Sequence, residues 1–224
     1  MNDIIVLIPA HNEEKTIEEV VTRCQMIGAT PSVIDDGSTD KTYEIIERLN
    51  KERSIPILKH KENLGKGMAL KTMFSVLKSI NIKFEYVVII DGDLQYDPFE
   101  IPKFIEALKT ADYVIGQRNW SQVPFRNRLG NYVWIRTFNF LFGTDLKDTN
   151  CGFVAMRAEV MKKLEVSSGY IVDNDMLIQT LKMGYRVENV PVSVRYNHKR
   201  GLSGIRMVIG ILIFIIIEKI KTMR

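Results

Sequence analysis

Short apolar runs alternate with helical apolar spacing through the first half of this chain, and few folds tolerate that alternation. Residues 4–9 form an apolar run of strand length. Ile17, Val20, Val21 and Cys24 then fall at i, i+3, i+4 and i+7, one face of a helix. The unit recurs. Residues 32–36 read as a strand, followed by a helix with Thr42, Ile45, Ile46 and Leu49 inside. Residues 55–59 read as a short strand, followed by Leu70, Met73, Phe74 and Leu77 at helical spacing. Residues 86–90 are the fourth strand, Ile101, Phe104, Ile105 and Leu108 the next helix face, and residues 112–116 the fifth strand. Asn12 and Asp40 are the expected N-caps of the first two helices, with Glu13 and Glu14 near the positive helix end. Uniformly apolar strands joined by amphipathic helices predict an α/β fold, a mostly parallel sheet with helices on both faces. Ligands bind such sheets at the carboxyl ends of the strands.

The second half is less regular. Residues 117–130 are polar and carry Arg118, Arg126 and Arg128. A helix is expected from about residue 131 to 142, a strand over 152–156, a helix over 176–183 and strand structure around Pro191. With 224 residues and no Gly/Ser or Pro-rich linker, residues 1–204 read as one domain. A net charge of +4, with no basic run interleaved with aromatics, excludes a nucleic-acid partner. Cys24 and Cys151 lie far apart, and reduced thiols in a cytoplasmic setting are expected. His11, His60 and His198 share no metal-ligand spacing. Residues 1–3 lead straight into a strand, so no signal peptide is expected.

Residues 205–224 differ from the rest. Residues 207–217 are uninterrupted apolar sequence, flanked by Lys199, Arg200, Arg206, Lys219 and Lys221. As a helix this run is about 17 Å long against roughly 30 Å for a bilayer core, too short to span it. The basic flanks favour contact with the cytoplasmic membrane surface over a buried or dimer-interface helix. The expected location is therefore cytoplasmic, peripheral to that membrane face.

Two strands close on acidic turns, at Asp35-Asp36-Gly37-Ser38 and at Asp91-Gly92-Asp93-Leu94-Gln95. Asp91 and Asp93 stand two apart, a spacing that lets two carboxylates converge on one hard cation while Gly92 permits a tight turn. The cation can then bridge to diphosphate oxygens. Other acidic-loop chemistries fail. An EF-hand would need Gly at Tyr96 and Glu at Pro102. A haloacid-dehalogenase-type phosphatase would need Thr at Gln95. Gly65-Lys66-Gly67 lacks the spacing and the Ser/Thr of a P-loop, and Pro9-Ala10-His11-Asn12-Glu13 replaces the glycine-rich turn of a dinucleotide fold. The segment 63–67 reads as a polar turn with no catalytic role. Asp148 reads as a loop-fixing residue.

The ordered set of Pro9-Ala10-His11-Asn12-Glu13-Glu14, Asp35-Asp36-Gly37-Ser38, Asn63-Leu64-Gly65-Lys66-Gly67 and Asp91-Gly92-Asp93-Leu94-Gln95 resembles inverting family 2 glycosyltransferases of the GT-A fold. Gly116-Gln117-Arg118, Asp148-Thr149-Asn150-Cys151-Gly152-Phe153 and the segment 190–195 resemble the dolichyl-phosphate mannosyltransferase branch. The resemblance implies a single GT-A (Rossmann-like) domain and transfer of a hexose from a GDP- or UDP-linked donor to a polyprenyl or dolichyl phosphate. It implies Pro9, His11 and Glu13 at the base and ribose, with Asp36 bonding the base and Ile34 elsewhere in the nucleotide-sugar site. It implies Asp91, Asp93 and Gln95 on Mg²⁺ or Mn²⁺, with Gly92 beside the nucleotide sugar. Arg118 and Arg195 would neutralise phosphate charge at the reacting centre, alongside Asp93 as catalytic groups. Arg118, Arg128 and Asn131 would hold the acceptor phosphate. Asp173 or Asp175 would contact the donor sugar, or act as base if the acceptor is a hydroxyl. Trp120 and Trp134 would flank an acceptor or pack structurally. Two departures stand out. The branch's short Gly-x-Ser-Lys segment after its late Arg is replaced here by the longer 196–204. The Gln-x-x-Arg-Trp signature of processive synthases is absent, which argues for single transfers. The rivals are transfer to a glycan hydroxyl and a non-catalytic nucleotide-sugar-binding module.

Overall fold

Ile4–Ala10 (β1) is buried along nearly its whole length, which only a central strand with both faces covered allows. The computed structural model describes residues 3–119, 125–167 and 171–195, with the backbone alone for 125–130. The apolar helix expected over 205–224 lies outside the described residues, as do Trp120 and the basic residues flanking that run. After β1 come α1 (Ile17–Met26), β2 (Thr30–Asp36), α2 (Thr42–Arg53), β3 (Ile57–His60), α3 (Lys66–Ser79) and β4 (Tyr86–Ile89). A 3-10 turn (Pro98–Glu100), α4 (Ile101–Ala107), β5 (Tyr113–Arg118) and α5 (Phe125–Phe142) come next. The described chain ends with β6 (Val154–Arg157), α6 (Ala158–Lys163), α7 (Val172–Lys182) and β7 (Val187–Val192).

Among the described residues the strands form one seven-stranded sheet in the order β3-β2-β1-β4-β6-β5-β7. All neighbours are parallel except β6, which runs antiparallel to both β4 and β5. The expected mostly parallel α/β sheet is therefore present. The chain winds outward from β1 to β2 and β3, then returns to β4 on the other side of β1. That reversal opens a crevice at the carboxyl ends of β1 and β4. The predicted helix faces are inside: Ile17, Val20, Val21 and Cys24 on α1, and Leu70, Met73, Phe74 and Leu77 on α3, are buried. Both cysteines are free and buried, and burial pushes each thiol up to about 12.

Three local expectations change and one helix is added. Helix α5 begins at Phe125, well before residue 131, so Arg126 and Arg128 sit on a helix rather than in a loop. Helix α6 has no counterpart in the sequence reading, because it is too short for a periodic signal. Asn12 does not cap α1. It has φ of 56° and its Oδ1 accepts from the Thr39 backbone N–H at 2.8 Å, tying two loops together. Helix α1 starts later, after Thr16, whose hydroxyl donates to the Gly92 carbonyl at 2.7 Å. Asp40 serves α2 from one position further out than a standard cap, accepting from Thr42 N–H at 2.9 Å and Glu14 N–H at 3.2 Å.

The turn after β2 depends on Gly37. Its φ is +64°, and a Cβ there would lie 2.3 Å from the Glu62 carbonyl carbon and 2.5 Å from the Asn63 nitrogen. Both obstacles are backbone. Gly37→Ala is therefore expected to destabilise the protein by about 3 kcal/mol, combining left-handed strain with overpacking. Urea unfolding of the purified variant checks this; a loss near zero refutes it.

Candidate active site

The crevice at the β1/β4 reversal is a cleft of about 200 Å³, lined by Pro9, Ala10, His11, Glu13, Asp36, Lys66, Ala69, Asp91, Gly92 and Asp93. The register explains the grouping. Leu7 of β1 pairs with Ile89 of β4, and Ala10 with Asp35 of β2, so the residues following these positions emerge at one edge. Gly92 packs closely on β1 and α1: a Cβ would meet Ala10 Cβ at 3.2 Å and Ile17 Cδ1 at 3.3 Å. The strained residue of this turn is Leu94, with φ of 58°. The Asp93 Oδ1 accepts from the Gln95 backbone N–H at 3.0 Å, which fixes the carboxylate against the turn.

Asp36 is buried and its carboxylate is already bonded. Oδ2 accepts from Gly65 N–H at 2.8 Å, and Oδ1 from Leu64 N–H at 3.1 Å and His60 Nδ1 at 2.6 Å. The Asp36 carbonyl accepts from His11 Nδ1 at 2.9 Å. Asp36 thus anchors the 63–66 segment and orients His11. His60, to which the sequence assigns no site role, is the partner that makes this possible.

Lys66 has no role in the sequence reading, yet its Nζ lies 3.0 Å from Asp91 Oδ1 and 3.4 Å from Asp173 Oδ2. Burial works against its charge, but the two carboxylates outweigh burial and hold the ammonium above its ordinary pKa. Burial raises the Asp173 carboxyl more than Lys66 lowers it, and Asp91 adds to the rise. Asp173 Oδ1 is buried without a hydrogen-bond partner.

Arg118 ends β5 with its guanidinium laid along the buried Asp148. Nε donates to Oδ2 at 2.8 Å and Nη2 to Oδ1 at 2.9 Å. Burial lowers the pKa of this guanidinium, and Asp148 more than restores it. Asp148 continues through the Asn150 N–H at 3.1 Å, and Asn150 Oδ1 accepts from Asn174 of α7 at 2.7 Å. Asp148 therefore fixes a loop, as expected, and also presets Arg118. Trp134 is buried and donates to Thr149 Oγ1 at 2.7 Å, so it packs structurally.

Of the sequence-predicted residues, the fold brings Pro9, His11, Glu13, Asp36, Asp91, Gly92 and Asp93 to the cleft wall. Ile34 is fully buried on β2 and does not line it. Gln95, Arg118, Asn131 and Arg195 stand outside the lining. Arg195 is exposed, and its backbone N–H donates to the Gln95 carbonyl at 2.9 Å, which places it at the same sheet edge. The Arg128 side chain lies outside what the structure describes.

The family model described as "Glycosyl transferase family 2" matches residues 5–165. The chain belongs to glycosyltransferase family 2. It is accordingly a glycosyltransferase enzyme with the GT-A fold. Among its relatives is a dolichyl-phosphate hexose transferase of Haloferax volcanii, 30% identical over 87% of this chain and 83% of the relative. Another is a UDP-N-acetylglucosamine–dolichyl-phosphate N-acetylglucosaminyltransferase of Methanococcus voltae, 28% identical over 94% of this chain and 93% of the relative. Glucosyl-3-phosphoglycerate synthase of Mycobacterium tuberculosis, solved with Mn²⁺, UDP and phosphoglyceric acid, shares the fold. Its TM-score is 0.75 at 22% identity, covering 97% of this chain and 78% of that one.

The donor set can be weighed against the divalent cation implied for this fold. Among the described residues no three acidic, His or Cys side chains converge as a ready-made cage. Two carboxylates, Asp91 and Asp93, face one cleft, and their oxygen donors suit Mg²⁺ or Mn²⁺. Mg²⁺ is commonly held by one or two carboxylates, with substrate phosphates and water completing the shell. The residues fit such an ion.

The raised Asp173 carboxyl sets a pH dependence. The folded protein holds this proton more tightly than the unfolded chain, whose carboxyl titrates near 3.8. Stability is therefore lost as pH rises through that window. Asp173→Asn removes the slope. The unfolding free energy of the variant minus that of wild type should grow from pH 4 to pH 7 in urea denaturation; a constant difference contradicts the assignment.

Proposed function

We propose that this glycosyltransferase moves one hexose from a GDP- or UDP-linked donor to a polyprenyl or dolichyl phosphate, with inversion at the anomeric carbon. The observation that carries it is the meeting of Asp91 and Asp93 with His11, Glu13 and Asp36 in one cleft at the sheet's switch point. Pro9, His11 and Glu13 form the wall that would receive base and ribose. Asp36, oriented by two backbone amides and His60, would bond the base from that wall. Asp93, with Asp91 and Gln95, would hold Mg²⁺ or Mn²⁺, which supplies charge stabilisation for the departing diphosphate. Arg118, preset by Asp148, and Arg195 would share that charge as it develops. An acceptor phosphate already carries a nucleophilic oxygen, so no general base is required.

Support for the acceptor comes from the named relatives and from α5. That helix carries Arg126, Arg128 and Arg136 and no acidic residue. Its Tyr132, Val133 and Phe140 are exposed, Phe140 to 87%. A basic helix with outward aromatic and aliphatic side chains suits an anionic lipid surface. Arg128 and Asn131 on it would meet the acceptor phosphate. Among the described residues no helix is long and apolar enough to cross a membrane. The proposed place of action is the cytoplasmic membrane face, with 205–224 adding to the contact. A second reading, transfer to a glycan hydroxyl, is favoured by Asp173: burial raises its carboxyl, as suits a general base.

A panel of labelled GDP- and UDP-sugars, offered with polyprenyl phosphate or a soluble glycan, decides between the acceptors. Transfer to the lipid phosphate that survives Asp173→Asn is the expected result; transfer to the glycan alone reverses it. Asp93→Ala should lower turnover by at least about 100-fold while melting like wild type, and metal stripping should do the same. Full turnover in excess chelator sinks the metal role.

For the membrane, Phe140→Ser and removal of 205–224 are each expected to reduce flotation with vesicles of anionic lipid. Unchanged flotation in both would place lipid contact elsewhere.

A further inference from the structure

We propose that Lys66 is an internal competitor of the divalent cation for Asp91. The inference rests on the metal-dependent reading above. Lys66 is the first residue of α3, and the turn before it is rigid: Gly65 has φ of +86° and its N–H is held by Asp36. An ammonium there opposes the positive end of the helix dipole, and no acidic side chain occupies the first turn of α3 to offset it. The compensation comes from across the cleft, from Asp91 at 3.0 Å and Asp173 at 3.4 Å. Gly152 seals the far side. A Cβ on it would lie 2.7 Å from Asp91 Oδ2 and 2.9 Å from Lys66 Nζ. The Asp91 carboxylate is therefore packed between an ammonium and a backbone.

A divalent ion approaching Asp91 meets a like charge at that carboxylate. Repulsion at such a separation is large unless something screens it. A nucleoside diphosphate supplies what is missing. Its negative oxygens compensate Lys66 and add ligands for the metal. Metal bound alone is therefore weakened, and the nucleotide restores it. The coupling is reciprocal, so the metal raises nucleotide affinity by the same factor. Lys66 also ties the turn after β4 to the start of α7, so the resting site is held in register by the contact the cation displaces.

The test is Mn²⁺ binding to the full chain, monitored by electron paramagnetic resonance, without nucleotide and with UDP or GDP. Lys66→Gln should bind Mn²⁺ alone at least about 5-fold more tightly than wild type, and Lys66→Arg within about 2-fold, the lower edge of usual coupling factors setting the threshold. Equal or weaker Mn²⁺ binding by Lys66→Gln overturns the proposal. If that variant does not melt cooperatively, Asp173→Asn replaces it. Leaving the ammonium to Asp91 alone should weaken Mn²⁺ binding, and an unchanged affinity overturns the proposal equally. The nucleotide arm is separate. If neither UDP nor GDP alters Mn²⁺ binding in any variant, the donor reading fails while the metal-alone comparison still decides Lys66.

Discussion

The carboxyl edge of this sheet crowds acidic side chains before any substrate arrives, and most of them are compensated from within the fold. Asp36 is held by two backbone amides and His60, Asp91 and Asp173 share Lys66, and Asp148 takes the Arg118 guanidinium. For Asp148, whose carboxylate is buried, losing the guanidinium would typically cost about 3–5 kcal/mol, because a charge is left without compensation. The cleft walls are thus fixed by electrostatics as much as by packing. The partners come from distant parts of the chain, so folding the sheet and assembling the site are one event.

The compensation also divides the acids by task. Asp36 takes two backbone N–H groups and His60, and so anchors the 63–66 segment. Asp148 fixes the plane of Arg118, so the guanidinium is held in one rotamer. Asp91 is different, because its partner is a flexible ammonium on a long stem rather than a backbone group.

Local signals carry the alternation of strands and helices, the helix faces and the acidic turns, since each lies within a few residues of sequence. They give no direction for β6, because a four-residue apolar strand reads the same both ways. They place the start of α5 too late, because Arg126, Asn127, Arg128 and Gly130 interrupt any apolar period. Lys66 carries no local signal, because its meaning depends on Asp173, 107 residues away. His60 and Asp36 are likewise 24 apart, joined only because β2 and β3 are neighbours. Pairing across the sheet is illegible in sequence, and the site is made of such pairs.

The antiparallel strand explains where the later residues come from. In β1, β4 and β5 the chain leaves the sheet at the carboxyl edge, so that edge receives the residues just beyond each strand's end: His11 after β1, and Asp91 and Asp93 after β4. Arg118 closes β5 at the same edge. Strand β6 runs the other way, with Val154 beside Ile89 and Arg157 beside Tyr86. Its beginning therefore lies at that edge too, and the residues before it, Asp148, Asn150 and Gly152, enter the site. A parallel strand in this position would have sent that loop to the opposite side. Arg118 would then lack Asp148, and Asp91 would lack the glycine against which it packs. The reversed strand thus adds the 148–152 loop to an edge that β1, β4 and β5 already supply from their carboxyl ends.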